Sequence, residues 1–132
     1  MSVFETTITV QCMLHVSSFL IGYFFNVAYG VNNEALDRMA VDMAIELKDS
    51  NVAVISLWPG AAKTQMLCYM LSTDEELAAQ MADYLNKPRE SIEYAGKAIL
   101  ALTTDNQIMR KSGRVAHTVD LGDEYGFKDI DG

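Results

Sequence analysis

The stretch Val52-Ala53-Val54-Ile55-Ser56-Leu57-Trp58-Pro59-Gly60 decides the fold of this chain. Its first seven residues are apolar and rich in β-branched side chains, and a Pro-Gly pair stops them, as is typical of a buried strand that ends at a turn. The polar residues 49–51 precede it. We therefore predict a central strand over residues 52–58, with the chain leaving the sheet at Pro59.

The residues before this strand follow a helical period. Between residues 27 and 48 apolar side chains recur every three or four positions with charged side chains between them, which predicts a helix of about six turns. An apolar run over residues 8–16 lies upstream and reads as a buried parallel strand. Strand, helix and strand in this order predict parallel pairing with a right-handed crossover.

The downstream residues contain a second set of helix and strand signals. Thr73 followed by Glu76 matches a capping box, which predicts a helix that ends before Pro88. Beyond it we predict a helix over residues 89–103, a strand over 114–119 and an irregular acidic tail over 120–132. The helix over 89–103 is predicted to bury the stripe Ile92, Ala95, Ile99 and Leu102. The pattern β-α-β-α-α-β predicts an α/β fold.

The composition excludes several classes of protein. A chain of 132 residues, half of them hydrophobic and 21% charged, is one small globular domain or a piece of a larger one, and not a disordered or disulfide-rich chain. The net charge of −8 disfavours nucleic acid as a partner. Neither Cys12 nor Cys68 has a second ligand at metal-binding spacing, so we predict two reduced core thiols and no metal site.

One uncharged segment, residues 6–33, is long enough to span a membrane. No basic residue precedes it, which argues against a signal peptide, and polar side chains such as Gln11, His15 and Asn26 interrupt it. We therefore favour a buried strand followed by a loop, and a membrane-inserted segment is the alternative.

Polar side chains and a Pro-Gly turn follow the predicted strands at one edge of the sheet. Ligands bind off the carboxyl ends of strands in open α/β sheets, so these residues are candidates for a site. They are Ser17, Ser18, Tyr29, Pro59, Gly60 and Thr64.

The chain resembles the short-chain dehydrogenase/reductase family from about residue 16 to residue 132. The resemblance rests on the run Phe25-Asn26-Val27-Ala28-Tyr29-Gly30-Val31, on Ser56-Leu57-Trp58-Pro59-Gly60 with Thr64, and on the tail over 120–132. It implies a doubly wound, Rossmann-like parallel sheet, of which this chain matches the C-terminal half with about three strands. By this resemblance, residues 1–132 form a single truncated domain that lacks the N-terminal Gly-rich, cofactor-binding half.

The resemblance also implies a chemistry, namely hydride transfer between NADP or NAD and a carbonyl or alcohol. The implied substrates include steroid-like small molecules. Tyr29 matches the catalytic tyrosine of the family and Ser17 is the candidate for its serine, while Pro59, Gly60 and Thr64 match cofactor-binding positions. Asn33 stands where the family has a lysine, whose charge lowers the pKa of the tyrosine. The expected function is therefore a member or fragment of this oxidoreductase family that is catalytically impaired.

A noncatalytic role is the alternative to that function. The helix over residues 27–48 matches a helix that forms dimers in the family, so the chain would pair with a second copy or with a full-length relative. The resemblance implies a cytoplasmic or endoplasmic-reticulum-associated location. Three of these residues also have a purely structural interpretation. In it, Tyr29 is an ordinary packed aromatic residue, Ser17 forms hydrogen bonds with loop amides, and Thr64 caps a short helix through Met66 and Met70.

Overall fold

The computed structural model of the chain describes residues 8–14, 27–80, 82 and 89–130. The strands are β1 (Thr9–Leu14), β2 (Val52–Trp58) and β3 (Arg114–His117). The helices are α1 (Val27–Glu46), α2 (Gln65–Thr73), α3 (Glu75–Gln80), α4 (Ile92–Thr104) and α5 (Thr118–Tyr125). Two 3-10 turns, Lys48–Ser50 and Ile108–Lys111, join α1 to β2 and α4 to β3.

The three strands form one parallel sheet in the order β1-β2-β3. Thr9 pairs with Val52, and Ile55 pairs with Arg114. The central strand β2 occupies the predicted residues and is buried from Ala53 to Trp58. The α/β class and the parallel three-stranded sheet are therefore confirmed.

The two faces of β2 pack against different helices, because successive side chains of a strand point to opposite sides. One face joins an apolar core, whose buried members are Ala53, Ile55, Leu57, Ala98, Leu102, Ile108 and Leu121. The other face meets α1, where Ser56 and Trp58 both donate hydrogen bonds to Asp37.

The first predicted strand is less buried than expected, and its predicted last two residues, 15 and 16, lie outside the described residues. It runs over Thr9–Leu14 within the described residues, and Thr9 and Gln11 are exposed while Val10 and Cys12 pack against the core. Its position at an edge of the three-stranded sheet explains this alternation, since an edge strand has one neighbour and β1 is covered on one face.

The capping prediction for Thr73 is wrong. Thr73 is the last residue of α2, and its hydroxyl donates to the carbonyl oxygen of Tyr69 at 3.0 Å. The helix after it begins at Glu75. Thr64 caps α2, as its structural interpretation predicts, because its Oγ1 accepts the Leu67 N–H at 3.2 Å. The backbone agrees, since the Cys68 N–H donates to the Thr64 carbonyl oxygen and so begins the helix there. A Thr hydroxyl can bond backward onto the preceding turn as readily as forward, which is why the spacing alone misplaced the cap.

Helix α4 begins at Ile92, three residues later than predicted, because Glu90 pairs with Ala62 in an isolated parallel bridge. Its buried side chains are Tyr94, Ala98 and Leu102. The predicted stripe is therefore wrong at its first member, since Ile92 is 65% exposed.

The acidic tail begins as a helix, and only residues 126–130 of its described part are irregular as predicted. Strand β3 ends at His117, two residues before the predicted end, and the chain turns directly into α5. Leu121 of α5 is buried in the core, and Gly126 at φ 72° ends the helix in the left-handed conformation that glycine adopts without strain. Helix α1 likewise ends at Glu46 and not at residue 48, where a 3-10 turn begins.

The two cysteines differ in their surroundings. Both thiols are free, but Cys12 is half-buried and Cys68 is exposed on α2, so the core prediction holds for Cys12 alone. Burial raises the pKa of the Cys12 thiol. No helix within the described ranges is long and apolar enough to cross a membrane, and part of the uncharged segment forms β1.

Candidate functional site

A cavity of about 350 Å³ opens at the carboxyl ends of β2 and β3. Its lining residues belong to the two segments that leave the sheet there. They are Trp58, Pro59, Gly60, His117, Thr118, Val119 and Asp120. The cavity therefore lies at the edge of the sheet where the sequence predicts a site, and it contains the Pro59-Gly60 turn.

The indole of Trp58 is held at the back of this cavity. Its Nε1–H donates to Asp37 Oδ1 at 2.9 Å, and the Ser56 hydroxyl donates to the same oxygen. The ring of His117 meets the Trp58 ring edge-on, with centroids 5.0 Å apart. These contacts fix the end of β2 against both α1 and β3.

The same contacts locate the first turns of α1. Asp37 lies level with the end of β2, whereas Ala44 lies near Gly113, whose N–H bonds to Val54 close to the start of that strand. Helix α1 therefore runs antiparallel to β2. At 1.5 Å per residue, Asn33 and Tyr29 lie about 6 and 12 Å before Asp37 along the helix axis, beyond the carboxyl end of the sheet.

Asn33 is buried, with 4% of its surface exposed, and its Nδ2 has no hydrogen-bond partner among the described residues. Tyr29 is 38% exposed in the first turns of α1. An unpaired buried amide costs about 1–3 kcal/mol. Asn33 is thus a neutral, buried side chain on the helix that carries Tyr29, and its match to the family's lysine stays a prediction.

The other predicted site residues have different outcomes. Ser17 and Ser18 lie outside the described residues. Thr64 is exposed and caps α2, so its structural interpretation is confirmed, and its cofactor role stays a prediction. The cavity lining given above includes Pro59 and Gly60 but neither Tyr29 nor Thr64.

Sequence reasoning missed the contribution of Glu90. This carboxyl is buried at 8% exposure, and its Oε1 accepts the Thr118 hydroxyl at 2.6 Å, whereas its Oε2 has no partner in the described part of the chain. It also missed His117 and Asp120, because β3 was predicted to continue to residue 119. Applying the carboxyl-end rule to the third strand as predicted would have found Asp120 but not His117.

The C-terminal tail is hydrogen-bonded to Ser91, which follows Glu90 at the start of α4. Ser91 donates its backbone N–H to Asp129 Oδ2 at 2.7 Å, and its hydroxyl donates to the other oxygen of the same carboxylate. These bonds from Ser91, the hydroxyl first, lower the pKa of Asp129. Burial, followed by the charges of Glu90 and nearby aspartates, raises the pKa of Tyr94 in the next turn.

Comparison with curated proteins shows two close likenesses in sequence. The chain is 38% identical over 113 residues to dehydrogenase/reductase SDR family member 1 of Homo sapiens, and 40% identical over 114 residues to the protein of that name from Mus musculus. Each alignment covers 83% of this chain and 36% of the relative. The chain thus spans a little more than a third of the length of these relatives. No family model matches it.

Solved structures show the same fold. The 3-oxoacyl-[acyl-carrier protein] reductase from Brucella melitensis in complex with NAD matches 83% of this chain and 42% of its own, with a TM-score of 0.63 at 15% identity. A 4-hydroxyisoleucine dehydrogenase complexed with NADH matches 80% of this chain and 43% of its own, with a TM-score of 0.55 at 21% identity. With the sequence likeness above, the aligned part of this chain therefore belongs to the short-chain dehydrogenase/reductase family.

Proposed function

We propose that this chain carries the catalytic-tyrosine region and the nicotinamide-facing turn of an NADP- or NAD-dependent carbonyl or alcohol oxidoreductase, in a catalytically impaired form. The observation that carries the proposal is the pairing of Tyr29 with a buried, neutral Asn33 on the helix that Asp37 ties to the cavity wall. By its lineage the substrate is a carbonyl compound or a steroid-like small molecule, and the location is cytoplasmic or endoplasmic-reticulum-associated.

The cavity fits one end of a nicotinamide cofactor. Its volume of about 350 Å³ suits a ring-sized group. Pro59, Gly60 and His117 would hold the ring. The cofactor would supply the hydride. The pyrophosphate would need contacts other than a Gly-X-Gly turn, because the sequence contains no such spacing.

In this proposal Tyr29 gives a proton to the carbonyl oxygen during reduction, and Ser17 orients that oxygen. A phenol titrates near 10 in water, so a nearby positive charge favours its ionised form and assists the reverse reaction. Asn33 has no charge to supply this effect, although its amide can donate a hydrogen bond to a ribose hydroxyl. Loss of the cation therefore impairs proton transfer more than ring binding.

Calorimetric titration of the chain with NADH and NADPH tests cofactor binding directly. Micromolar binding by this chain would contradict the proposed impairment of cofactor binding, since a positioned dinucleotide normally needs its phosphates held as well as its ring.

A chimera tests the role of Asn33. The first part of a full-length relative, joined to residue 16 of this chain, should restore binding of the cofactor. Asn33→Lys in that chimera should then raise the reduction rate by about 10²–10⁴-fold, the usual contribution of general acid-base catalysis. Tyr29→Phe, added to the chimera that carries Asn33→Lys, is the matched control and should abolish the gain. Equal turnover with asparagine and with lysine at this position would contradict impairment at this site.

A second function, that of a noncatalytic partner for another copy or a full-length relative, is supported by the outer face of α1. Val27, Val31 and Ile45 are 70%, 63% and 73% exposed, whereas the buried residues of this helix are Asn33 and Ala40. Exposed apolar groups on one long helix favour association.

Sedimentation velocity over a range of concentrations tests this association, alone and with the full-length relative. Val31→Asp should weaken any dimer at least tenfold, because it places a charge in an apolar contact. Asn32→Asp adds the same charge at the neighbouring exposed position and is the control. A monomer at all concentrations, with no binding to the relative, would exclude this function.

A further inference from the structure

Glu90 joins the segment after the Pro59-Gly60 turn to the start of α4. Its backbone N–H donates to the carbonyl oxygen of Ala61 at 2.9 Å, and its carbonyl oxygen accepts the Lys63 N–H at 3.0 Å. These two bonds form the isolated parallel bridge of Ala62 with Glu90. The backbone of Glu90 is therefore fixed against the turn that lines the cavity.

The side chain of Glu90 reaches the opposite wall of the same cavity. Its Oε1 accepts the hydroxyl proton of Thr118, the first residue of α5. A Cβ atom added to Gly60 would lie 2.6 Å from this Oε1 and 2.9 Å from Cδ. The carboxyl group thus fills the space that a side chain at position 60 would need, while it holds the junction of β3 and α5.

A buried glutamate at position 90 lowers the stability of the folded chain relative to an apolar residue of the same size. Its Oε2 has no hydrogen-bond partner within the described ranges, and a buried polar atom without a partner destabilises the folded state. An apolar side chain would fill the same space without that penalty. Compared with an apolar side chain, the carboxyl group provides the hydrogen bond to Thr118 and the close contact with Gly60.

We propose that Glu90 is a positioning residue of the cavity: from behind the wall, its carboxyl group fixes the Pro59-Gly60 turn against the β3–α5 junction. The cavity keeps its width because one buried side chain contacts both walls. The inference concerns the geometry of the cavity, and it rests on the proposed function only for the identity of the molecule that enters. Ser91, bonded to Asp129, anchors the adjoining residue and limits how far Glu90 can move.

Trp58 allows a test that needs no ligand, since it is the single tryptophan of the chain and lines the cavity. Glu90→Ala should raise the acrylamide quenching constant of Trp58 about twofold, because loss of one buried hydrogen bond shifts a local opening equilibrium by roughly a factor of five. Gly60→Ala should have the same effect, since the new methyl group displaces the carboxyl group from Thr118. Glu90→Gln keeps an acceptor oxygen and should restore the quenching of the unmodified chain.

The double variant makes the test specific. Gly60→Ala combined with Glu90→Ala should quench no more than either single variant, because both changes break one contact and contacting residues are not additive. Glu93→Ala, an exposed acid in the first turn of α4, is the matched control and should leave quenching unchanged. If Glu90→Ala does not fold, Gly60→Ala and Glu90→Gln carry the same comparison.

Quenching that stays unchanged in Gly60→Ala and in Glu90→Ala, or that adds in the double variant, would overturn the positioning role. A fall in unfolding stability without a change in quenching would leave Glu90 a packing residue and would overturn it too. Titration with NADH separates this result from the proposed function. Micromolar binding of NADH by the unmodified chain would count against the proposed impairment, while the quenching series still decides the role of Glu90.

Discussion

The two faces of β2 use one strand for opposite purposes. Toward α4 and α5 it presents Ala53, Ile55 and Leu57, all fully buried among apolar side chains. Toward α1 it presents Ser56 and Trp58, both of which bond to the Asp37 carboxylate. The first face supplies the free energy of burial, and the second supplies the contacts that locate Trp58 and the start of α1.

This contrast explains why α1 and α4 differ in the residues that they bury. Helix α4 buries a regular line of Tyr94, Ala98 and Leu102. Helix α1 buries Asn33 and Ala40, a small and polar pair, and leaves larger apolar side chains exposed. A helix that packs only for stability shows the first pattern. The second pattern agrees with the proposals that the inner face of α1 serves a site and that its outer face binds a partner.

The largest effect should come from the apolar face. Leu57→Ala should lower the free energy of unfolding by about 2–5 kcal/mol, through lost burial and the cavity that remains. Urea denaturation followed by circular dichroism measures this. Val119→Ala, at a position that is 55% exposed, is the control and should change it by less than about 0.5 kcal/mol. Similar losses for the two variants would break the assignment of this face as the core.

On the polar face, Asp37→Ala should lower the free energy of unfolding by about 1–3 kcal/mol, because it removes the acceptor of the hydrogen bonds from the Ser56 hydroxyl and the Trp58 indole N–H. The Trp58 emission should shift at the same time. Asp37→Asn keeps an acceptor and should recover much of the loss. Asp42→Ala removes an exposed carboxylate that pairs with Arg38 on the same helix, and it should leave both readouts unchanged. An unshifted Trp58 emission in Asp37→Ala would contradict the location of the indole.

A pair of glycines probes how closely α1 approaches the turn before β3. Gly113 and Gly126 have φ values of 77° and 72°, so alanine is strained at both. Only at Gly113 would the new Cβ meet a neighbour, the Cβ of Ala44 at 3.1 Å. Gly113→Ala should therefore destabilise the chain by about 1 kcal/mol more than Gly126→Ala in thermal unfolding. Equal effects would mean that α1 is more loosely packed at this end.

The smallest effect concerns pH. Because the hydrogen bonds from Ser91 lower the pKa of Asp129, the carboxylate stabilises the folded chain above its unfolded pKa of about 4, and this contribution is lost as the pH falls through the lower folded pKa. The stability difference between the unmodified chain and Asp129→Asn should thus be constant from about pH 7 to 5 and shrink in stronger acid. Asp123→Asn, on the exposed face of α5, is the control. A difference that grows on acidification would contradict the sign.

Local sequence signals were sufficient where they were strong. Strand β2 was predicted residue for residue, because its apolar run is bounded by a polar turn on one side and Pro59 on the other. Helix α1 was also predicted from its period, and residues 27–46 are helical. Helix α5 was missed, since its eight residues are too few to be stable alone and depend on the burial of Leu121 in the core.

In the candidate site, too, the residues set by local sequence were predictable and those set by tertiary contacts were not. Pro59 and Gly60 were predictable, because a Pro-Gly turn after a buried strand has a fixed place in a parallel sheet. Glu90 was not predictable, because its burial depends on a bridge to Ala62, which lies 28 residues earlier in the chain. The sequence around Glu90 predicts an exposed residue at the start of a helix. Only the tertiary contacts with Thr118 and Gly60 show that its side chain is buried beside the cavity.

The parallel pairing of β2 has a consequence for synthesis of the chain. Its partners in β1 are made well before it, whereas its partners in β3 begin only at Arg114. At about 5–20 residues per second, ribosomes need roughly 3–12 s to translate the residues between the end of β2 and β3. For that interval the most apolar strand of the molecule has an unpaired edge. Nascent chains that stall between Trp58 and Arg114 should therefore be the species that recruits chaperones or aggregates.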